Sequence, residues 1–198
     1  MTFRLDDESE KQEPALPAPA IVEKALFNAR VVMLTGEVND IQARRVTERL
    51  FALAAENDNP ITFVISSPGG HVESGDMIHD AIKFVKPRVR MLGTGWVASA
   101  GALIYCAADR QDRFCLPNTR FLLHEPRGGV GGMASDVEIQ AREILRMRER
   151  LNRIFADATG QPADKIKRDV DRDYWMLADE AKAYGLVGKI VKSQNEIR

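Results

Sequence analysis

Short apolar runs, often rich in β-branched residues, alternate along this chain with longer segments in which apolar residues recur every three or four positions. The short runs predict buried strands, and the periodic segments predict amphipathic helices. The predicted strands cover residues 31–34, 61–65, 88–92 and 120–124. The predicted helices cover residues 41–54, 77–85, 98–108 and 136–158. Because strand and helix alternate with short connections, the pattern predicts an α/β fold with a mainly parallel sheet.

The first 20 residues differ in composition from everything that follows. They contain five acidic residues and three prolines, and they have almost no large apolar side chains. Such a segment cannot bury enough apolar surface to offset the entropy that it loses on ordering. We therefore expect residues 1–20 to form a disordered tail and residues 21–198 to form a single domain.

The overall composition excludes several classes of protein. Of the 198 residues, 44% are hydrophobic and 29% are charged, and the net charge is −1. This balance provides neither the basic surface of a nucleic-acid-binding protein nor a polybasic membrane patch. No apolar stretch reaches the roughly 20 residues of a transmembrane helix. Cys106 and Cys115 lack zinc-type spacing, so we expect free thiols, a cytoplasmic location, and neither metal nor cofactor.

Three histidines are candidates for a general base. His79 shares a helix face with Asp80 and Lys83, opposite the apolar stripe, which predicts exposure to solvent. His71 follows two glycines in a loop, where exposure to solvent is again the simpler prediction. His124 ends an apolar strand, and ligands usually bind at the carboxyl ends of strands in α/β sheets. A core histidine that bonds to backbone is the alternative for His124.

Ser99 lies at the start of a predicted apolar helix and is flanked by small residues. The free N–H groups and partial positive charge of a helix N-terminus stabilise a developing oxyanion, which favours Ser99 as a nucleophile. The alternative is that Ser99 only caps the helix. The segment is not the nucleophile elbow of α/β-hydrolases, because Gly-x-Ser-x-Gly would need a glycine in place of Val97.

The turn Ser67-Pro68-Gly69-Gly70 follows another predicted strand. Its two glycines permit positive φ, so that backbone N–H groups can point outward, as a tetrahedral intermediate requires. The acidic partner of a histidine stays open among Asp109, Asp112, Asp136, Asp169, Asp171 and Asp173. The residues by themselves therefore predict no more than a serine hydrolase.

Taken together and in order, these motifs resemble the proteolytic subunit of the ATP-dependent Clp protease (the ClpP family), whose members are serine peptidases. The resemblance rests on Ser67-Pro68-Gly69-Gly70, Ala98-Ser99-Ala100-Gly101-Ala102, Arg113-Phe114-Cys115-Leu116-Pro117-Asn118, His124-Glu125-Pro126, Asp171-Arg172-Asp173 and residues 180–186. It implies an α/β fold with a ClpP/crotonase-like repeated ββα core and a long handle helix over residues 136–158. It also implies two stacked seven-membered rings that enclose a chamber.

The same resemblance implies a role for each site residue. It makes Ser99 the nucleophile, His124 the base and Asp173 the group that orients the imidazole. The oxyanion donors are the backbone N–H groups of Gly70 and Ala100, and Ala100 stands where relatives usually carry methionine. The pair Asp171-Arg172 matches a pair that bridges the rings in relatives.

The predicted function is a self-compartmentalising serine endopeptidase that cleaves unfolded proteins and peptides and is fed by an AAA+ unfoldase. The resemblance implies no metal and no cofactor. One alternative is a non-catalytic structural or regulatory subunit of a Clp-type ring. A second alternative is an acyl-CoA enzyme of the crotonase type, which shares the core fold.

Overall fold

A mostly parallel sheet with helices packed against it forms the frame of the protein, as seen in a computed structural model that describes residues 20–127 and 131–197. The predicted disordered tail lies outside the described residues, except for Ala20, which opens the first helix. Within the described ranges the strands are β1 Val31–Thr35, β2 Ile61–Ser67, β3 Val89–Ala98, β4 Arg113–Cys115, β5 Arg120–Leu123, β6 Tyr174–Leu177 and β7 Lys189–Ile190. The helices are α1 Ala20–Asn28, α2 Asp40–Glu56, α3 Val72–Phe84, α4 Ala100–Tyr105, α5 Ala134–Thr159, α6 Ala163–Asp169 and α7 Ala178–Tyr184.

The strand order is β1-β2-β3-β4-β7, and every neighbouring pair along this path is parallel. Strand β5 also pairs with β3 in parallel, and β6 pairs with β5 in antiparallel fashion. This topology confirms the predicted α/β class. Strand β3 therefore lies between β2 and both β4 and β5, so that its carboxyl end lies near the middle of the sheet.

Alternating burial along the strands and apolar helix faces form one core. In β2 the side chains of Ile61, Phe63 and Ile65 are fully buried, whereas those between them are only partly covered. Each such side chain contributes about 1.5–3 kcal/mol when it leaves water. Helix α2 begins as predicted, because the side chain of Asn39 accepts a hydrogen bond of 3.0 Å from the Gln42 amide.

The chain between β3 and α4 differs from the prediction. Strand β3 continues to Ala98, six residues beyond the predicted end, and α4 begins only at Ala100. The physical reason is a break at Ser99, whose φ of +54° belongs neither to a strand nor to a right-handed helix. The apolar run that predicted one helix over residues 98–108 thus contains the end of a strand and a shorter helix.

The predicted exposure of His79 is wrong, because the residue is only 7% exposed. The side of α3 that carries His79 lies against the end of α5, where Ile154 and Asp157 line the same recess as His79 and Cys106. A single helical pattern cannot reveal such a cover, since the covering residues come from a helix some 75 positions later in the chain.

Helix α5 is covered only over its second half. Its buried residues, Leu151, Phe155 and Thr159, all lie in the last nine positions, whereas Ile139 and Leu145 are 57% and 48% exposed. The first half of this helix therefore extends away from the core. No helix within residues 20–127 and 131–197 combines the length and the apolar character needed to cross a membrane.

Candidate active site

Ser99 stands at the junction between β3 and α4. Its neighbour Ala98 pairs with Leu122 of β5, and the Ser99 N–H donates a hydrogen bond of 2.9 Å to the Leu122 carbonyl. Its φ of +54° and ψ of −121° form a conformation that costs about 1–3 kcal/mol for a residue with a side chain. The hydroxyl makes no capping bond to α4. Ser99 therefore occupies the N-cap position of α4 without capping the helix through its side chain.

The register between β5 and β6 brings His124 and Asp173 to the same end of the sheet. Leu123 pairs with Tyr174 in the antiparallel ladder, so His124 directly follows β5 where Asp173 directly precedes β6. Because β3 and β5 are parallel, the carboxyl end of β3, with Ser99, belongs to this end as well. The three residues that the resemblance named thus lie at the same end of the sheet, where β3 and β5 finish and β6 begins, although they are up to 74 positions apart in sequence.

The turn after β2 lies directly against Ser99. A Cβ atom built on Gly69 would lie 2.5 Å from Cβ of Ser99 and 3.1 Å from the backbone nitrogen of Ala100. Only glycine allows this approach, and the φ of Gly69 is +99°, where other residues are strained. The Gly69 N–H donates to Oγ of Ser67 at 3.1 Å, which holds the turn from within.

Two backbone N–H groups at this turn and at α4 are available to a ligand. In the bridge between Val38 and Gly70, the Val38 N–H donates to the Gly69 carbonyl and the His71 N–H donates to the Val38 carbonyl, both at 2.8 Å. Neither bond uses the N–H of Gly70. Ala100 is the first residue of α4, so its N–H has no acceptor within the helix. These are the two donors that the resemblance assigned to the oxyanion.

His124 and Asp173 bond to other groups rather than to each other. Nδ1 of His124 lies 2.6 Å from the backbone carbonyl of Glu125, and the Asp173 carboxylate forms an ion pair with Arg127. Since a carbonyl can only accept a hydrogen bond, Nδ1 carries the proton and Nε2 is left as the basic nitrogen. This is the tautomer that a general base facing a serine needs.

A second group of serine, histidine and aspartate lies on α3 and α2, but its chemistry is different. Oγ of Ser74 donates a 2.6 Å hydrogen bond to Asp40 and accepts one of 2.8 Å from Nδ1 of His71. The hydroxyl proton therefore points at a carboxylate and not at the imidazole. Ser74 is also 3% exposed, and this group is consequently not a nucleophilic site. The His71 side chain is 54% exposed, as predicted.

Sequence reasoning missed two arginines near the histidine. Arg127 pairs with Asp173, and Nη1 of Arg148 on α5 lies 3.3 Å from the carboxylate of Glu125. No local pattern identifies them, because the first partner is 46 positions away and the second is 23 positions away. Among the described residues, no cluster of histidine, cysteine or acidic side chains could hold a metal ion.

A serine with positive φ at a helix start, with a histidine and an aspartate at the same end of the sheet, is an arrangement that fits a serine hydrolase. A family model described as Clp protease matches residues 18–194. The ATP-dependent Clp protease proteolytic subunit 3 of Rhizobium meliloti is 60% identical over 195 residues, which are 98% of this chain and 100% of that protein. Proteolytic subunit 2 of Pseudomonas aeruginosa is 57% identical over 177 residues, which are 89% of this chain and 88% of that protein.

Solved structures agree with these relatives. ClpP1 from Listeria monocytogenes superposes with a TM-score of 0.82 at 47% identity, covering 89% of this chain and 99% of that chain. The chain belongs to the Clp protease family. It has the ClpP fold and is a self-compartmentalising serine protease, so the predicted fold and peptidase function are confirmed. Family membership favours the peptidase over the acyl-CoA enzyme.

Proposed function

We propose that Ser99, His124 and Asp173 form the catalytic triad of this protease. Oγ of Ser99 attacks the scissile carbonyl carbon while Nε2 of His124 takes its proton and later gives it to the leaving amine. Asp173 orients His124 and stabilises its protonated form. The backbone N–H groups of Gly70 and Ala100 stabilise the negative oxygen of the tetrahedral intermediate.

The observation that carries this proposal is the backbone conformation of Ser99. A residue with only a structural role at a strand-to-helix junction would be a glycine, which relieves the positive φ, or a serine that caps the helix. Ser99 does neither, since it keeps φ at +54° and makes no cap bond. Strain of this kind at a half-buried hydroxyl is a common device for presenting a nucleophile.

We further propose that residues 21–198 are the peptidase domain and that the chain assembles into two stacked seven-membered rings around a chamber. The relatives are named as ATP-dependent Clp protease subunits, which supports an AAA+ Clp ATPase as the partner that delivers unfolded polypeptides in the cytoplasm. The exposed apolar residues Ile139 and Leu145 on the uncovered half of α5 support contact with a second chain.

A fluorophosphonate probe tests the triad, because it forms a covalent bond with an activated serine hydroxyl. We expect the wild-type protein to gain the mass of one adduct per chain in intact-mass measurements. The Ser99→Ala variant should gain none. The matched control is Ser74→Ala, which removes the other serine that is bonded to a histidine and should still be labelled.

Labelling of the Ser99→Ala variant to the same extent would contradict the assignment of the nucleophile. Absence of labelling in assembled wild-type protein would instead favour the non-catalytic ring subunit. Sedimentation velocity of the full chain tests the assembly, since two stacked rings contain fourteen chains. A single seven-chain species at all concentrations would contradict ring stacking.

A further inference from the structure

The triad would need a hydrogen bond between His124 and Asp173, but each of these side chains bonds to a different group in the structure. The imidazole donates to the Glu125 carbonyl at 2.6 Å, and Nη2 of Arg127 donates to Oδ1 of Asp173. Both substitute partners come from the three residues that follow His124. Residues 124–127 therefore contain the base and also the two groups that bond to the base and to its acid in place of each other.

This segment is anchored from two sides. The N–H of Glu125 donates to the Val170 carbonyl at 2.9 Å, and its carboxylate pairs with Arg148 of α5 at 3.3 Å. The backbone that carries the competing carbonyl is therefore held in place. The side chain of Arg127 is 70% exposed, and within residues 20–127 and 131–197 its pair with Asp173 is the one hydrogen bond or ion pair that holds it.

We propose that Arg127 is a positioning residue that competes with His124 for the carboxylate of Asp173. This inference rests on the proposed function, since it takes Asp173 as the acid of the triad. While Arg127 holds the carboxylate, the protonated imidazole that forms during attack is supported only by a neutral carbonyl. When Arg127 moves away, the full negative charge of Asp173 faces the imidazole, and the transition state is stabilised more strongly.

The charged groups around His124 agree with this competition. Asp173 directly precedes β6 at the end where His124 follows β5, Glu125 and Arg127 belong to the segment of His124, and Arg148 of α5 pairs with Glu125. Arg148 is already paired with Glu125, which leaves Arg127 as the cation on the triad carboxylate. Exposed ion pairs are weak, so exchange between the two arrangements needs little free energy.

The test compares Arg127→Gln with wild type in the hydrolysis of a short fluorogenic peptide by the assembled protein. We expect kcat to rise about two- to fivefold, the range that a weak exposed pair allows, with KM unchanged. Arg127→Lys should stay near the wild-type kcat, because it keeps the charge. The matched control is Arg44→Gln, which removes a similarly exposed arginine from an ion pair on α2 and should leave kcat unchanged.

A double-mutant cycle with Asp173→Asn separates this inference from the proposed triad. The effect of Arg127→Gln should disappear when Asp173 is already neutral. An unchanged or lowered kcat for Arg127→Gln, or an equal rise in both backgrounds, would overturn the competition while leaving the triad in place. If Asp173→Asn alone kept full activity, the triad assignment would fail instead. Melting temperatures within 1 to 2 °C, typical of neutral surface changes, confirm that all variants are folded.

Discussion

Backbone contacts hold both sides of the candidate active site, but the carboxylate on the histidine side is held by an exposed ion pair, which the serine side does not have. The serine side comprises the β3–α4 junction and the turn with Gly69. Its hydrogen bonds join main-chain atoms or a buried hydroxyl, and a single added Cβ would collide with it. The histidine side comprises residues 124–127 and Asp173, whose ion pair with Arg127 is 42% and 70% exposed at its two ends.

The geometry of the serine side is therefore fixed when the chain folds, whereas the ion pair of the histidine side can respond to solution conditions. Main-chain geometry at the end of the sheet cannot rearrange without disrupting the sheet, so the two N–H groups that we propose as oxyanion donors are pre-organised as soon as the chain folds. An exposed ion pair contributes only about 0–1 kcal/mol and weakens with salt. The histidine side is therefore the part of the site on which assembly, salt and neighbouring charges can act.

The largest expected effect is that of Ser99→Ala, which removes the only reacting atom of the serine side. Peptidase activity should fall by several powers of ten, on the order of 10⁶-fold for a serine protease. The melting temperature should barely change, because the half-buried hydroxyl has no hydrogen bond among the described residues and alanine keeps the Cβ and the backbone strain. Steady-state hydrolysis and thermal melting measure the two effects. Near wild-type turnover in a clean preparation would remove Ser99 from the mechanism.

Asp173→Asn should have a smaller effect, since it acts on the histidine side. Loss of the triad carboxylate costs on the order of 10⁴-fold where the histidine then takes the wrong tautomer. Here the Glu125 carbonyl already holds the proton on Nδ1, at 2.6 Å. We therefore expect kcat to fall by only about 10² to 10³-fold, which is less than the 10⁴-fold loss expected for a wrong tautomer. A loss of the full 10⁴-fold or more would show that the carbonyl does not hold the tautomer.

Gly69→Ala probes the close packing of the serine side. The added Cβ would meet Cβ of Ser99 at 2.5 Å and the Ala98 carbonyl at 2.9 Å, at a φ of +99°. We expect a loss of about 2–5 kcal/mol in stability from strain and overpacking together. A shift of Ser99 by about 1 Å should lower kcat by about 100-fold. Denaturant unfolding and peptide hydrolysis measure both quantities.

The matched control for that substitution is Gly36→Ala. Gly36 has a similar φ of +84°, but a Cβ there would have nothing within 4 Å. It should cost only the left-handed penalty of about 1–2 kcal/mol and leave kcat unchanged. Equal effects of the two substitutions would mean that the contact of Gly69 with Ser99 contributes nothing, and the serine side would not be the more rigid one.

The same division explains how much of the molecule could be predicted from its sequence. Ser99 and the Gly69–Gly70 turn could be predicted because each lies in a short segment with its own local pattern, small residues at a helix start in one and two glycines after a strand in the other. His124 was predicted as a site residue from its place at the end of an apolar strand. Asp173 could not be chosen among six aspartates without the family resemblance, because its position depends on the pairing of β5 with β6.

Elements that depend on distant contacts were the ones missed. The three-residue β4 is too short to leave a periodic pattern, and it is a strand only because it pairs with β3 and β7. His79 was expected in solvent from its own helix pattern, and the expectation was wrong because a helix that follows much later in the chain covers it. Arg127 has no signature at all, since its partner lies on another element. Tertiary contacts decided each of these cases.

The smallest expected effect concerns two thiols that report on the serine side. Cys106 directly follows α4, the helix whose first N–H we propose as an oxyanion donor, and Cys115 lies in β4 beside β3. Burial raises the pKa of Cys106 to about 11 and that of Cys115 to about 12. Both therefore stay protonated and unreactive in the native protein at pH 8.

We expect a thiol reagent at pH 8 to label almost no cysteine in the native protein and both cysteines after unfolding. The pKa of both thiols is near 9 in the unfolded chain and higher in the folded protein. Their contribution to the free energy of unfolding is therefore fully present below pH 9 and is lost as the pH rises through 11 and 12. Labelling should accelerate over the same range. Rapid labelling of Cys106 at pH 8 would mean that α4 opens locally in the native state, and the serine side would then be as changeable as the histidine side.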